Sequence, residues 1–204
     1  MRHLRARFAR VAVAFALSAL LGGCISVKSF VDPALPVLAK TDLPAVASPR
    51  PVTVLFEFKT NGNANARGTS ALQGRAVAAV AESGMFGAVS STAGQPQAGL
   101  LKITIDDIGD AGKAAAKGFG TGLTFGLAGS LVTDNYLCTA AYSLNGRSTE
   151  TTVRHALHST VGNHKPPPGA KPMTTMDAIN QVVDQLVWHA LKQLDEQAAF
   201  AGQP

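Results

Sequence analysis

Eleven uncharged apolar residues, VAVAFALSALL at 11–21, follow the basic stretch MRHLRARFAR and run into Gly22-Gly23-Cys24. A helix that crosses a bilayer needs ~20 such residues, so this run is too short to span. A basic start, a short apolar centre and small residues at the end are the layout of a secretory signal. Residues 1–23 therefore drop out of the fold, and of the 204 residues 181 remain. That length suits one domain with a core large enough to need no staples.

Charge then excludes one class of partner. The whole chain carries 18 Lys and Arg against 13 Asp and Glu, with a pI near 9.5. Arg2, Arg5, Arg7 and Arg10 all lie in the signal, which has no acidic residue. The remaining 14 basic and 13 acidic residues leave a net charge of +1 and no basic stripe to hold phosphates. Nucleic acid is not an expected partner.

The four residues Leu21-Gly22-Gly23-Cys24 resemble the lipobox of bacterial lipoproteins. The resemblance implies cleavage before Cys24, recognised through Leu21, Gly22 and Gly23, and a diacylglycerol on the Cys24 sulfur. Acyl chains contribute about 0.8 kcal/mol per buried methylene, and several together anchor stably. Ile25 follows the cysteine. By resemblance to enteric lipoproteins, a residue other than aspartate there implies the outer membrane, with the chain facing the periplasm. The covalent lipid on Cys24 is the one non-protein group expected; no cofactor is. Cys138 then has no partner in the chain and reads as a small buried strand residue.

Residues 25–51 contain Pro33, Pro36, Pro44, Pro49 and Pro51 and read as an extended tether. VTVLFEFK at 52–59 alternates as a strand does. Residues 70–83 read as a helix, capped by Thr69 or Ser70 and stopped at Gly84. LLKITIDDI at 100–108 reads as a second strand and NYLCTAAYSL at 135–144 as a third. Asn145-Gly146 signals a tight hairpin into a returning strand at 148–161. The last element is the clearest. Thr174 and Asp177 form a capping pair, and Ile179, Val182, Val183, Leu186, Ala190 and Leu194 make one apolar stripe.

The expected fold is α+β, with about four mainly antiparallel strands in the order β-α-β-insert-β-β-α and both helices on one face. The expected organisation is a signal at 1–23, a lipidated proline-rich tether at 24–51, one domain at 52–199 and a tail at 200–204.

The insert, 109–133, reads GDAGKAAAKGFGTGLTFGLAGSLVT and holds seven of the chain's 20 glycines. At period four, Gly118, Gly122, Gly126 and Ser130 are all small, which is a ridge that lets another helix approach closely. At period two, Phe119, Leu123, Phe125 and Leu127 share one side, which is a strand with a large and a small face. The insert reads either as a membrane-contact or self-association element, or as a packed loop over the sheet. Nucleotide motifs fail on spacing: Gly120, Gly122 and Gly126 give G-x-G-x-x-x-G, one residue too long for a dinucleotide fingerprint.

Catalytic chemistry has little to stand on. His155 and His158 point to opposite sides of a strand and converge poorly on a metal, and His164 lies beyond them. Asp106, Asp107 and Asp110 lack the rest of a calcium loop and read as a polar strand end. Glu57 and Glu150 show no pairing cue, and no nucleophile elbow is present. The expectation is no catalytic residue and no metal ligand.

Three passages, CISVKSFVDP, AAAKGFGTGLTFGLAGSLVTDNY and HALHSTVGN, resemble a group of small proteobacterial lipoproteins of uncharacterised function. The order of elements is also similar, at the level of fold, to envelope-assembly lipoproteins such as those of lipopolysaccharide assembly and curli secretion. The tether, the compact α+β domain and the lack of a catalytic constellation point to a non-catalytic binding or assembly component of the envelope, with an envelope protein as partner. A membrane-active homo-oligomer built through the insert is the alternative, and a periplasmic enzyme without a recognisable motif comes third.

Overall fold

The computed structural model describes residues 27–92, 98–109, 130–161 and 164–200. The alternating segments form one sheet. Its strands are β1 (Val27–Val31), β2 (Pro51–Thr60), β3 (Asn63–Ala64), β4 (Ala88–Ser90), β5 (Gly99–Asp107), β6 (Ser130–Leu144) and β7 (Arg147–Val161). The order across the sheet is β1-β7-β6-β5-β2-β3, with β4 also on β2. Two helices, α1 (Ala66–Glu82) and α2 (Thr175–Glu196), complete an α+β fold.

The four expected strands are present, but the sheet has seven and is mixed. β2 runs parallel to β5 and to β4, while the other pairings are antiparallel. Parallel neighbours need a crossover, and α1 between β2 and β5 supplies it. Local turn chemistry agrees with the sequence. Asn145 and Gly146 both have positive φ, 49° and 75°, as a two-residue primed turn requires. Thr174 accepts the Asp177 N–H at 3.1 Å, and Gly84 closes α1 at φ 73°. The start of α1 differs from expectation. Asn65 caps it, accepting the Gly68 N–H at 2.9 Å. Thr69 is one turn in, and its hydroxyl takes the Phe58 N–H at 2.9 Å instead.

The proline-rich segment requires the largest correction. Val27–Val31 is an edge strand on β7, in register from Val27 opposite Val161 to Val31 opposite Leu157. Phe30 is 2 % exposed, and Ser29 Oγ lies 3.0 Å from the Thr175 hydroxyl of α2. Beyond Pro33 the chain does not swing free. The Leu38 N–H donates to Gln185 Oε1 at 2.7 Å and its carbonyl accepts from Gln185 Nε2 at 3.1 Å. His189 Nε2 meets the Pro36 carbonyl at 2.8 Å. Prolines leave this segment only one short 3-10 turn, Lys40–Asp42, yet its backbone polar atoms still need partners, and α2 supplies those of Pro36 and Leu38. Residues 36–38 thus strap the segment to α2, and Arg50 at its far end is held by the Gly87 amide.

One face of the sheet carries the core. Val52, Val54, Leu101, Ile103, Ile105, Cys138, Ala140 and Val153 meet Ala76, Ala79 and Val80 of α1 and Val183, Leu186, Ala190 and Leu194 of α2. Burying each large apolar side chain stabilises by about 1.5–3 kcal/mol before entropy is counted. The helices also lock to each other. Trp188 Nε1 donates to the Ala79 carbonyl at 2.9 Å, and Arg75 bridges Asp184 of α2 and Glu82. Matching 75 to 184 and 79 to 188, the helices run parallel, with both N-termini at one end.

That end is shared by several termini. β2 and β5 finish on that side with Asp107 opposite Tyr136, and β6 and β7 run six residues further to the Ser130–Val161 pair, where β1 begins at Val27. At the opposite end Phe86, Tyr142 and Phe200 stack edge to face, with Phe200 4.9 Å from Tyr142 between ring centroids. Phe200 therefore belongs to the domain rather than to a tail.

The residues expected to form the insert are divided by the structure. Ser130, Leu131, Val132 and Thr133 are the first residues of β6, paired with Val161 back to His158. Gly118, Gly122 and Gly126 lie outside the described residues, as do Leu21, Gly22, Gly23 and Cys24. Among the described residues no helix is long and apolar enough to cross a membrane.

Candidate functional site

α1 and α2 are tied together at their middles and diverge toward their N-termini. Between them opens a groove of about 260 Å³ over the ends of β2, β5 and β6. Phe58, Ile105 and Tyr136 form its floor, Ala71 and Leu72 of α1 one wall, and Ile179 and Val183 of α2 the other. Met176 stands at the rim, 63 % exposed. Asn180 is the one amide side chain in the lining. Gly68 is part of the groove for a steric reason: a Cβ there would sit 2.5 Å from the Phe58 ring, so only glycine lets that ring lie against α1.

Next to the groove, the sheet beyond Ile105 and Tyr136 is acidic. Asp107 pairs in register with Tyr136, one step beyond Ile105 on the same face. Burial pushes the Asp107 carboxyl up to about 6, and the charges of Asp134 and Asp106 add to the effect. One of its oxygens is buried with no hydrogen-bond partner. Burial also raises Asp134, partly offset by the charge of His158. The Tyr136 phenol is raised well above its usual range by burial and by the same two aspartates. The site has an apolar body, and beside it stand two carboxyls that burial holds above their usual range. That combination suits a ligand that is mostly hydrocarbon. It offers no activated nucleophile.

The other sequence candidates fall elsewhere. His155 and His158 do face opposite sides of β7. His155 is on the helix side, 6 % exposed, with neither ring nitrogen hydrogen-bonded. Burial lowers its pKa to about 4; the charge of Asp32 opposes this, and those of His189 and His158 reinforce it. His158 is on the other side, with Nδ1 2.9 Å from the Thr133 hydroxyl and Nε2 3.4 Å from Asp32. Asp106 accepts the Gly62 N–H through both oxygens at 3.0 Å, closing the β2–β3 turn. Asp110 lies outside the described residues. Glu57 pairs with Lys59 on the strand surface, and Glu150 is exposed. Cys138 is buried in β6, and burial pushes its thiol up to about 12, which leaves it inert at neutral pH. Among the described residues no three His, Cys, Asp or Glu side chains gather to hold a metal.

Sequence reasoning missed the groove. Leu72, Ile179 and Val183 were visible as apolar helix positions, but the same pattern marks ordinary core. The signal that could have been read is Gly68 opposite an aromatic strand residue.

No family model and no curated protein matches the sequence. Among solved structures, the chain is similar to a PelC dodecamer subunit from Paraburkholderia phytofirmans. Identity is 11 %, the TM-score is 0.40, and 83 % of this chain and 95 % of that one are covered. It is also similar to an uncharacterised protein at 12 % identity and a TM-score of 0.35, covering 76 % of this chain and 95 % of that one. Overlap of this degree says nothing of what either chain does.

Proposed function

We propose that this chain is a lipid-anchored protein of the cell envelope, facing the periplasm, that acts by binding an apolar chain rather than by catalysis. The groove between α1 and α2 is the observation that carries the reading: about 260 Å³ of space walled almost wholly by hydrocarbon. Pockets of this make-up are the usual seats of apolar ligands. The basic and apolar signal, Leu21-Gly22-Gly23 and Cys24 support the anchor, and Ile25 supports the outer membrane.

The test is titration with cis-parinaric acid, an acyl-chain probe whose emission rises in dry surroundings. Saturable binding by the full chain, lost in Ala71→Phe, is the expected result. Ala71 is exposed at the groove wall, so the larger side chain fills the space without disturbing the core. Equal binding by both proteins, or none by either, sinks the proposal.

Self-association through Gly118, Gly122, Gly126 and Ser130 is the second reading, supported by the period-four run of small residues. It concerns how copies meet and is compatible with a ligand in the groove.

A further inference from the structure

We infer that the end of the sheet where β1 begins rests on the lipid surface, with Val27, Leu131 and Met176 in contact with it. The inference rests on the reading of Cys24 as the lipid-bearing residue.

The first argument is reach. A free tether of some 28 residues could hold a domain far from a membrane. This chain has no such length to use, because the sheet starts at Val27. Only Ile25 and Ser26 separate Cys24 from Val27, and three steps of a fully extended chain at ~3.6 Å each close the gap within about 11 Å. β1 is held along its length by β7, and Ser29 and Phe30 are buried. The strand cannot peel away to lengthen the tether without exposing both.

The second argument is the placement of exposed apolar side chains. Among the described residues seven large ones are exposed: Val27, Val37, Leu55, Leu100, Ile108, Leu131 and Met176. Three belong to the end that Cys24 must approach. Val27 is 55 % exposed and opens β1; Leu131 is 41 % exposed and is level with Lys28 through Thr160. Met176 is 63 % exposed in the first turn of α2, beside Thr175, whose hydroxyl meets Ser29. Ile108, at 41 %, is level with Asn135, four residues along β6 from Leu131, and stands apart from this group. Exposed apolar groups collected at one place mark a contact surface.

Charge agrees. Lys28 and Lys171 are exposed near the same margin, the latter two residues from Met173, which pairs with Ser29. Cationic side chains around an apolar contact suit phosphate headgroups. Of the acidic groups on that side, Asp107 and Asp134 lie on the helix-covered face, Asp106 holds the Gly62 amide, and Asp177, exposed beside Met176, accepts the Thr174 hydroxyl at 2.7 Å.

The experiment uses the full lipidated protein in vesicles of phosphatidylethanolamine and phosphatidylglycerol. Leu131→Cys, Met176→Cys and Leu100→Cys are each labelled with an environment-sensitive fluorophore. Cys138 is buried and Cys24 carries the lipid, so the introduced thiol is the reactive one. Leu100 pairs with Ser143, twelve residues along β6 from Leu131, which is about 40 Å at ~3.3 Å per residue. Spin-labelled lipids with the quencher just below the headgroups should roughly halve the emission at positions 131 and 176 and leave position 100 nearly unchanged, since interfacial groups sit ~5–10 Å deep.

No quenching at either 131 or 176, with the lipid on Cys24 confirmed by intact mass, overturns the inference and leaves the anchor standing. Equal quenching at 100 overturns it too, because the sheet would then lie flat. A mature mass without lipid removes the anchor reading, and the inference falls with it.

Discussion

His155 ties the stability of this domain to pH, and its contribution can be isolated. The ring sits on the core face of β7, 6 % exposed, and neither nitrogen has a hydrogen-bond partner. Burial holds its folded pKa near 4, against 6.5 for a free histidine. The unfolded chain therefore takes up a proton as pH falls through 6.5, while the folded chain does not until about 4. Stability is lost across that window and is level on either side of it. A gap of about 2.5 units at 1.36 kcal/mol per unit corresponds to about 3 kcal/mol, a large part of a typical 5–15 kcal/mol.

The wild-type curve alone does not isolate this. Asp107 shifts the other way: with its carboxyl raised to about 6 from 3.8, the folded state gains as pH falls between those values. The comparison with His155→Leu, of similar size, cancels what the two proteins share. Urea denaturation of the detergent-solubilised chain can be followed through Trp188, its one tryptophan. Near neutral pH the variant should match or exceed the wild type by about 1–3 kcal/mol, because two orphaned polar atoms are gone. Its advantage should grow by about 3 kcal/mol on going down to about pH 4. A difference that stays constant to within ~0.5 kcal/mol over that range refutes the reasoning. It would mean that the ring is hydrated or partnered.

Other consequences are open to test. Asp107→Asn should stabilise at neutral pH by about 1 kcal/mol, discounted because the carboxylate is partly solvated, and the gain should vanish below about pH 4. Denaturation midpoints at the two pH values check it. Gln185→Ala leaves the Leu38 amide and carbonyl without their partner, at a cost of about 2 kcal/mol, and should hasten proteolysis within residues 33–50; an unchanged cleavage pattern counts against the strap. Gly68→Ala should push the Phe58 ring into the groove and weaken cis-parinaric acid binding while leaving the helix intact by circular dichroism. Gly122→Leu should lower the native mass of the lipidated protein in mild detergent if the period-four ridge joins copies; an unchanged mass removes that reading.

The chain's local features were legible because the residues that make them are neighbours. Thr174 and Asp177 are one turn apart, Asn145 and Gly146 are adjacent, and the apolar stripe of α2 repeats within a single element. The signal, Leu21-Gly22-Gly23-Cys24 and Ile25 are local in the same way, so the expected address rests on residues 1–25 alone. What tertiary structure decided depends on partners far along the chain. VKSFV looked like part of a tether because prolines follow it, and it became a strand because β7 extends far enough to pair with it. The parallel pairing of β2 with β5 follows from α1 folding back over both. Leu38 is held by Gln185, 147 residues away. The groove exists because two helices bound at Trp188 and Arg75 part at their N-termini, and His155 is orphaned because its strand turns it under α2. Sequence periodicity reports which side of an element is apolar; which other element covers that side, and where cover is left incomplete, is settled only when the whole chain packs.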